Sequence, residues 1–365
     1  PGATRHRMER RGEADEGRMR YRNDIDGLRA VAVVPIVLYH AGLTWISGGF
    51  IGVDVFFVIS GFLITSIMLG DIEAGRFSVV GFWGRRIVRI FPALFVMLAT
   101  VMVAGCLFLF PGDLRALAAS AAAAAAFVSN LWFEFTTGYF GPAAETLPLL
   151  HTWSLGVEDQ FYIVHPLLIA AVHRFAPNRL KAVLVVTALA SFGLGLALSI
   201  AMPVHAFYGL PGRVWELGLG ALVAANAAPK IATKQGRDAA ALAGLGLIAL
   251  GYAAIRPNSL FPVPWAVLPA LGAALIIAYG DGAVTARLLA ARPMRWIGAI
   301  SYSLYLWHWP IITFWRLRHD LTLSAADTGV VVVLSVATAW VSYRLVERPA
   351  IEAFRKGRPG RLVIG

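Results

Sequence analysis

Residues 48–70 read GGFIGVDVFFVISGFLITSIMLG, with a single ionisable side chain, Asp54. At about 1.5 Å per residue, a helix of this length spans about 35 Å and crosses a hydrocarbon core of about 30 Å. The runs on either side repeat the pattern. Apolar stretches near 27–45, 50–70, 87–110, 153–173, 182–201, 209–226, 239–255, 263–280, 296–316 and 326–346 predict about ten transmembrane helices. The chain is 58% hydrophobic and 15% charged, with a mean hydropathy of +0.68. A soluble domain carries about 25% charge. The expected fold class is therefore an all-α polytopic membrane protein.

The net charge of +11 does not point to nucleic acid, because the positive charge is confined to alternate connections. One set of connections and the two tails carry 26 Lys and Arg; the other set carries four, Arg115, Arg256, Arg316 and Arg318. The positive-inside rule assigns the basic set to the cytoplasm. An eleventh, alanine-rich block near 115–132 would invert that pattern if it crossed. It is expected to be re-entrant or interfacial, within an external segment 111–152. Both termini are then cytoplasmic and the cell (inner) membrane is the expected location. Residues 1–24 read as a basic, disordered tail, 25–347 as the membrane domain and 348–365 as a second basic tail. No cleavable signal peptide and no appended soluble domain are expected. Cys106 is the single cysteine, so no internal disulfide is expected.

An ionisable group near the bilayer centre costs at least about 2.5–3.5 kcal/mol on insertion scales, so each is a functional candidate. Counting from the ends of the spans puts His40, Asp54, Glu158, Glu216 and His308 at about one depth, in the outer third, with Arg213 one turn from Glu216. His40 and Asp54 flank the same turn at equal distance, which suggests a facing pair: an imidazole base and a carboxylate that orients it. Arg29 lies eleven residues before His40 on the same helical face, about 16 Å away towards the cytoplasm. Arg86 and Arg89 share a face at i, i+3 and form a clamp suited to phosphate or carboxylate, or else a topogenic pair facing headgroups. His151 beside Trp153 reads as a substrate contact or an interfacial anchor. Arg213 and Glu216 read as substrate contacts or an internal ion pair, and His308 as a packed, hydrogen-bonded histidine.

The stretches IDGLRAVAVVPIVLYH (25–40), GGFIGVDVFFVISGFLIT (48–65), FWGRRIVRIFPAL (82–94), LLHTWSLGVEDQFYIVHPLL (149–168), AFYGLPGRVWELGLGALV (206–223), ISYSLYLWHWPI (300–311) and SYRLVERPA (342–350), taken together and in this order, resemble the acyltransferase-3 family of membrane acyltransferases. The family's Arg-x10-His motif falls on Arg29 and His40, and its Arg-x-x-Arg motif on Arg86 and Arg89. Its acidic block, usually Val-Glu-Glu-Gln-Phe-Tyr, here carries Asp159 after Glu158. The resemblance implies transfer of an acyl group from an acyl-CoA donor to a hydroxyl, often on a cell-surface glycan. His40, Asp54, Arg29 and Glu158 would then be catalytic, Arg86 and Arg89 would hold the donor, and His151, Arg213 and Glu216 would touch the acceptor. Acyl-CoA, most simply acetyl-CoA, is a co-substrate; no bound cofactor and no metal are expected. Expected partners are membrane lipids and a carbohydrate or glycolipid acceptor, not nucleic acid. A homo-oligomer or a separate extracytoplasmic partner is compatible with this reading. A transporter or flippase is the rival, since buried charges and helix-breaking glycines also mark those proteins.

Overall fold

The computed structural model describes residues 21–43, 45–136 and 145–356. Among them there is no strand. The helices, in chain order, are α1 (Asn23–His40), α2 (Gly52–Glu73), α3 (Val79–Phe108), α4 (Pro111–Ala125), α5 (Ser129–Thr136), α6 (Trp153–Phe175), α7 (Leu180–Ala201), α8 (Pro203–Tyr208), α9 (Val214–Ala224), α10 (Lys234–Ala254), α11 (Val267–Tyr279), α12 (Val284–Leu289), α13 (Arg292–Ala299), α14 (Ser301–Arg318), α15 (Ala325–Ser342) and α16 (Arg348–Lys356). The protein is an all-α, multi-pass membrane protein.

Each of the ten apolar runs carries a helix, but among the described residues six helices are long and apolar enough to span on those grounds alone: α2, α3, α6, α7, α10 and α15, some with flanking turns. α9 and α11 are apolar but short. α1 and α14 fall outside the set because they carry the polar residues of interest, Asp24, Asp26 and Arg29 in one and His308, Arg316 and Arg318 in the other. The block near 115–132 is two short helices, α4 and α5, separated by a break at Phe127 in the left-handed region (φ 58°). A non-glycine residue there stops a helix, so neither piece reaches the length of a span. The first helix begins at Asn23, inside the segment read as a tail, and residues 348–356 form α16. Residues 1–20 and 357–365 of the two tails lie outside the described residues.

α2 is the axis of the bundle. Phe57, Val58, Ile59, Ile64 and Met68 on it are fully buried, whereas α7 and α15 are covered on one side only. Large side chains such as Val186, Leu189, Val333 and Leu345 project outward from the peripheral helices, as lipid contact requires. α2 meets α9 at backbone distance. A Cβ on Gly61 would lie 1.8 Å from the Leu217 carbonyl, and one on Gly220 would lie 2.0 Å from that of Val58. Between apolar helices in lipid, such close approach supplies the dispersion contact that hydrophobic burial cannot. It also fixes which face of α2 looks towards α9, and that face carries Asp54.

Four helices contain an internal proline, and in two of them the carbonyl it frees accepts from a side chain outside the helix. A proline frees the carbonyl four residues before it. Pro35 in α1 frees Val31, which accepts from the Tyr252 hydroxyl at 2.9 Å. Pro166 in α6 frees Tyr162, which accepts from the Trp83 indole at 3.0 Å. Pro310 in α14 frees Leu306, and that carbonyl faces the ring of His151.

Candidate active site

The polar residues that sequence depth puts on one level separate into three groups. The first is a cluster of three imidazoles. His40 closes α1, His308 sits mid-way along α14, and His151 lies in the turn Leu150–Thr152 that leads into α6. All three are buried. His40 Nδ1 is 3.0 Å from His308 Nε2, with the rings within 15° of parallel. His308 Nδ1 lies 2.7 Å from the Tyr305 carbonyl and 3.2 Å from that of Leu304. Carbonyls only accept, so this nitrogen carries the proton and His308 Nε2 accepts from His40 Nδ1–H. The remaining lone pair of a neutral His40 is therefore on Nε2. His151 stands 5.7 Å from His308 and 5.6 Å from Tyr305, ring to ring. Among the described residues neither of its nitrogens meets the geometry of a hydrogen bond, and the Leu306 carbonyl is a polar neighbour. Trp309 packs on His40 in a T-shaped contact, and Arg316 donates to the His40 carbonyl at 3.0 Å while pairing with Glu145.

The second group overturns the expected His40–Asp54 pair. Asp54 turns to α9, where Arg213 Nη1 lies 3.1 Å from its Oδ1 and 3.2 Å from Glu216 Oε1. The guanidinium is ringed by Phe57, Phe261, Trp153 and Phe207 at 5.2, 5.5, 5.7 and 5.8 Å from its carbon. Matching depth fixed the height of Asp54 but not its direction around the helix, and the Gly61–Gly220 contact decides the direction. Arg213 and Glu216 were expected to touch the acceptor. Both are 0% exposed, and the site's cavity does not reach them. They form the internal ion pair, with Asp54 added.

The third group lines a narrow cavity of about 90 Å³ between α1, α2, α3, α6 and α14. Arg29, eleven residues before His40 on α1, lines it with Arg86 and Arg89 from the first turns of α3; Glu158, Asp159, Tyr162 and Tyr302 line it too, as do Ser154 and Tyr305, which reach the His151 carbonyl beside the histidine cluster. Glu158 accepts from the Ser60 hydroxyl at 2.7 Å and from that of Tyr162 at 3.2 Å. Arg86 lies over the rings of Phe82 and Tyr162. Arg85 turns away and pairs with Asp71 at 2.7 Å, so of the three arginines in this turn the i, i+3 pair is the one that faces the cavity. His308 was missed as the partner of His40, although its place at the same depth was legible. Among the described residues, no grouping of His, Cys, Asp and Glu is arranged to hold a metal.

Comparison with known proteins bears on the family of the chain. The family described as an acyltransferase domain matches residues 22–344. O-acetyltransferase OatA of Staphylococcus aureus is 33% identical over 347 residues, 90% of this chain and 57% of its own length. Peptidoglycan O-acetyltransferase OatA of Listeria monocytogenes is 31% identical over 352 residues, 90% of this chain and 56% of its own. The putative membrane-bound transacylase BcsY of Komagataeibacter xylinus is 34% identical over 337 residues, 91% of this chain and 83% of its own. The chain thus spans little more than half the length of the OatA relatives. No solved structure matches. With the match running from Arg22 to Arg344, through the arginine-lined cavity and the histidine cluster alike, the chain belongs to the acyltransferase-3 family.

Proposed function

We propose that this chain is an O-acyltransferase that moves an acetyl group from cytoplasmic acetyl-CoA to a hydroxyl of an envelope carbohydrate. One observation carries the reading: a cavity with three arginines at one end leads along α14 to a cluster of three histidines beyond its other end. The phosphates of CoA suit Arg86 and Arg89, and the thioester arm suits a narrow slot. A sugar hydroxyl is a poor nucleophile near neutral pH and needs a positioned base. His40 Nε2 takes the hydroxyl proton while the hydroxyl oxygen attacks the thioester carbonyl carbon. The tetrahedral intermediate then collapses, the C–S bond breaks, and the imidazolium returns its proton to the leaving thiolate. His308 holds the imidazole in the tautomer this requires. The relatives named as O-acetyltransferases, one of them of peptidoglycan, favour an envelope glycan as the acceptor.

Radiolabelled acetyl-CoA tests the donor. In purified protein supplied with envelope glycan, label is expected in the glycan. Arg86→Ala and Arg89→Ala are each expected to raise the apparent donor KM roughly ten- to a hundredfold with the acceptor KM little changed. A charge-assisted hydrogen bond contributes about 1.5–3 kcal/mol, and every 1.4 kcal/mol is a factor of ten. An unchanged donor KM in both variants would return the pair to a topogenic role.

The orientation follows from the charge asymmetry: the arginine end of the cavity faces the cytoplasm and both termini lie on that side, in the inner membrane. A phosphatase reporter that is active only outside the cytoplasm is expected to be silent when fused after Gly365 and active when inserted near Glu145. The reverse pattern would invert the topology and put the donor site on the wrong side.

A further inference from the structure

The cavity and the histidine cluster are neighbours, and Tyr305 belongs to the lining of the first and touches the rings of the second. Tyr302, Tyr305 and His308 are spaced i, i+3, i+6 on α14 and form one stripe. Tyr302 and Tyr305 line the cavity, while His308 belongs to the cluster. The Tyr305 ring is in contact with both compartments. It lies 5.6 Å from the His151 ring and 5.4 Å from the His308 ring on one side, and 6.4 Å from Phe56, a cavity residue, on the other. Its hydroxyl is pinned: it is 2.7 Å from Ser154 Oγ and donates to the His151 carbonyl at 3.0 Å, and Ser154 Oγ is itself 3.3 Å from that carbonyl. The two hydroxyls and the carbonyl form a closed triangle, with both chain segments anchored to α6 or to the turn that leads into it. A phenol held this way has a fixed position, unlike an aromatic that merely packs.

We propose that Tyr305, latched by Ser154, is the specificity-determining residue that limits the acyl group to two carbons. This rests on the acyl-CoA reading of the cavity. An acyl group arriving along the slot from the arginine end meets the phenol before it meets an imidazole. A methyl group fits beside the ring, so the thioester carbonyl comes level with the cluster. A longer chain has to occupy the space of the ring itself, and the carbonyl stops short. Shortening the side chain joins the two compartments and gives the extra methylenes room. Tyr305→Phe keeps the partition and removes only the latch.

The test compares butyryl-CoA with acetyl-CoA as donors, both radiolabelled in the acyl group, with purified protein and envelope glycan, and normalises each rate to protein abundance. Tyr305→Ala is expected to raise the butyryl-to-acetyl ratio of kcat/KM at least about tenfold, the scale on which pockets discriminate one or two methylenes. Tyr305→Phe is expected to raise the ratio by less than Tyr305→Ala does, because the ring that excludes the longer chain is still present but its hydroxyl no longer holds it in place. If Tyr305→Ala does not accumulate, Tyr305→Leu carries the same expectation with more of the packing kept. A ratio that does not move in whichever of the two accumulates overturns the assignment of Tyr305 alone. Wild type that labels the glycan from neither thioester overturns the donor reading, and this proposal with it. A uniform loss of rate with both donors at full abundance also overturns it, since it makes the phenol a structural support rather than a selector.

Discussion

His40→Ala is expected to abolish acyl transfer while leaving the protein at wild-type abundance in the membrane. Alanine is no less apolar than histidine, and α1 is held by packing along its whole length, so insertion is not at risk. What is lost is the group that takes the hydroxyl proton, worth about 10²–10⁴-fold in rate. The partner distinguishes a base from a packed ring. His308 Nε2 accepts from His40 Nδ1–H at 3.0 Å, and its own Nδ1 is tied to the Tyr305 carbonyl. His308→Ala removes the acceptor that fixes the tautomer, whereas His308→Gln offers an amide oxygen in its place. A neutral hydrogen bond contributes about 1 kcal/mol, so His308→Gln is expected to be roughly fivefold or more faster than His308→Ala. Rates per molecule, measured with saturating donor, decide the matter. Near wild-type transfer by an abundant His40→Ala protein would remove the base from the mechanism. Equal rates for the two His308 variants would show that the contact packs but does not orient.

Much of the fold was legible because its determinants are additive along the chain. Apolar length marks a helix whether or not its neighbours are known, and all ten runs carry one. What length could not give was the count by strict criteria. α1 and α14 are too polar to register as spans, and they are the helices that bring His40 and His308 together. The site was half legible for the same reason. Helical arithmetic gives a height and a face relative to residues of the same helix. It paired Arg86 with Arg89, and both line the cavity, whereas the turning of Arg85 to Asp71 is seen only in the structure. It also put His40, Asp54 and His308 at one depth. Choosing which two of these three meet requires the rotation of each helix about its axis, and that is set by contacts such as Gly61 on Leu217, between residues more than 150 positions apart. The family's motif adds nothing here, since it names Arg29 and His40 and is silent about partners.

The same rotation turns Asp54 from a catalytic expectation into a structural one, and Arg213→Ala is expected to show it as a severe loss of folded protein. Arg213 is the only cation paired with Asp54 and Glu216 in the described interior, and all three side chains are at most 1% exposed. Removing it leaves two carboxyls with no compensating charge at membrane depth. Breaking a buried pair in this way costs about 3–5 kcal/mol, a large share of a typical stability of about 5–15 kcal/mol. The four rings around the guanidinium would also face a void. Removing one acid is milder, because the other still pairs with the arginine: Asp54→Asn is expected to accumulate and to transfer acyl groups at close to the wild-type rate per molecule. The double change Asp54→Asn with Glu216→Gln strands the arginine instead and is expected to fail as Arg213→Ala does. Detergent-extracted protein, quantified by fluorescence-detected size exclusion and assayed at matched concentration, separates the two roles of Asp54. An abundant Asp54→Asn protein slowed about 10⁴-fold, as a triad carboxylate would demand, would restore the carboxylate to the chemistry, and the ion cluster would have to be reread as a relay to the histidines. Full activity in that variant, beside the collapse of Arg213→Ala, would identify the cluster as the bolt that holds α2 against α9 and leave the orienting of His40 to His308.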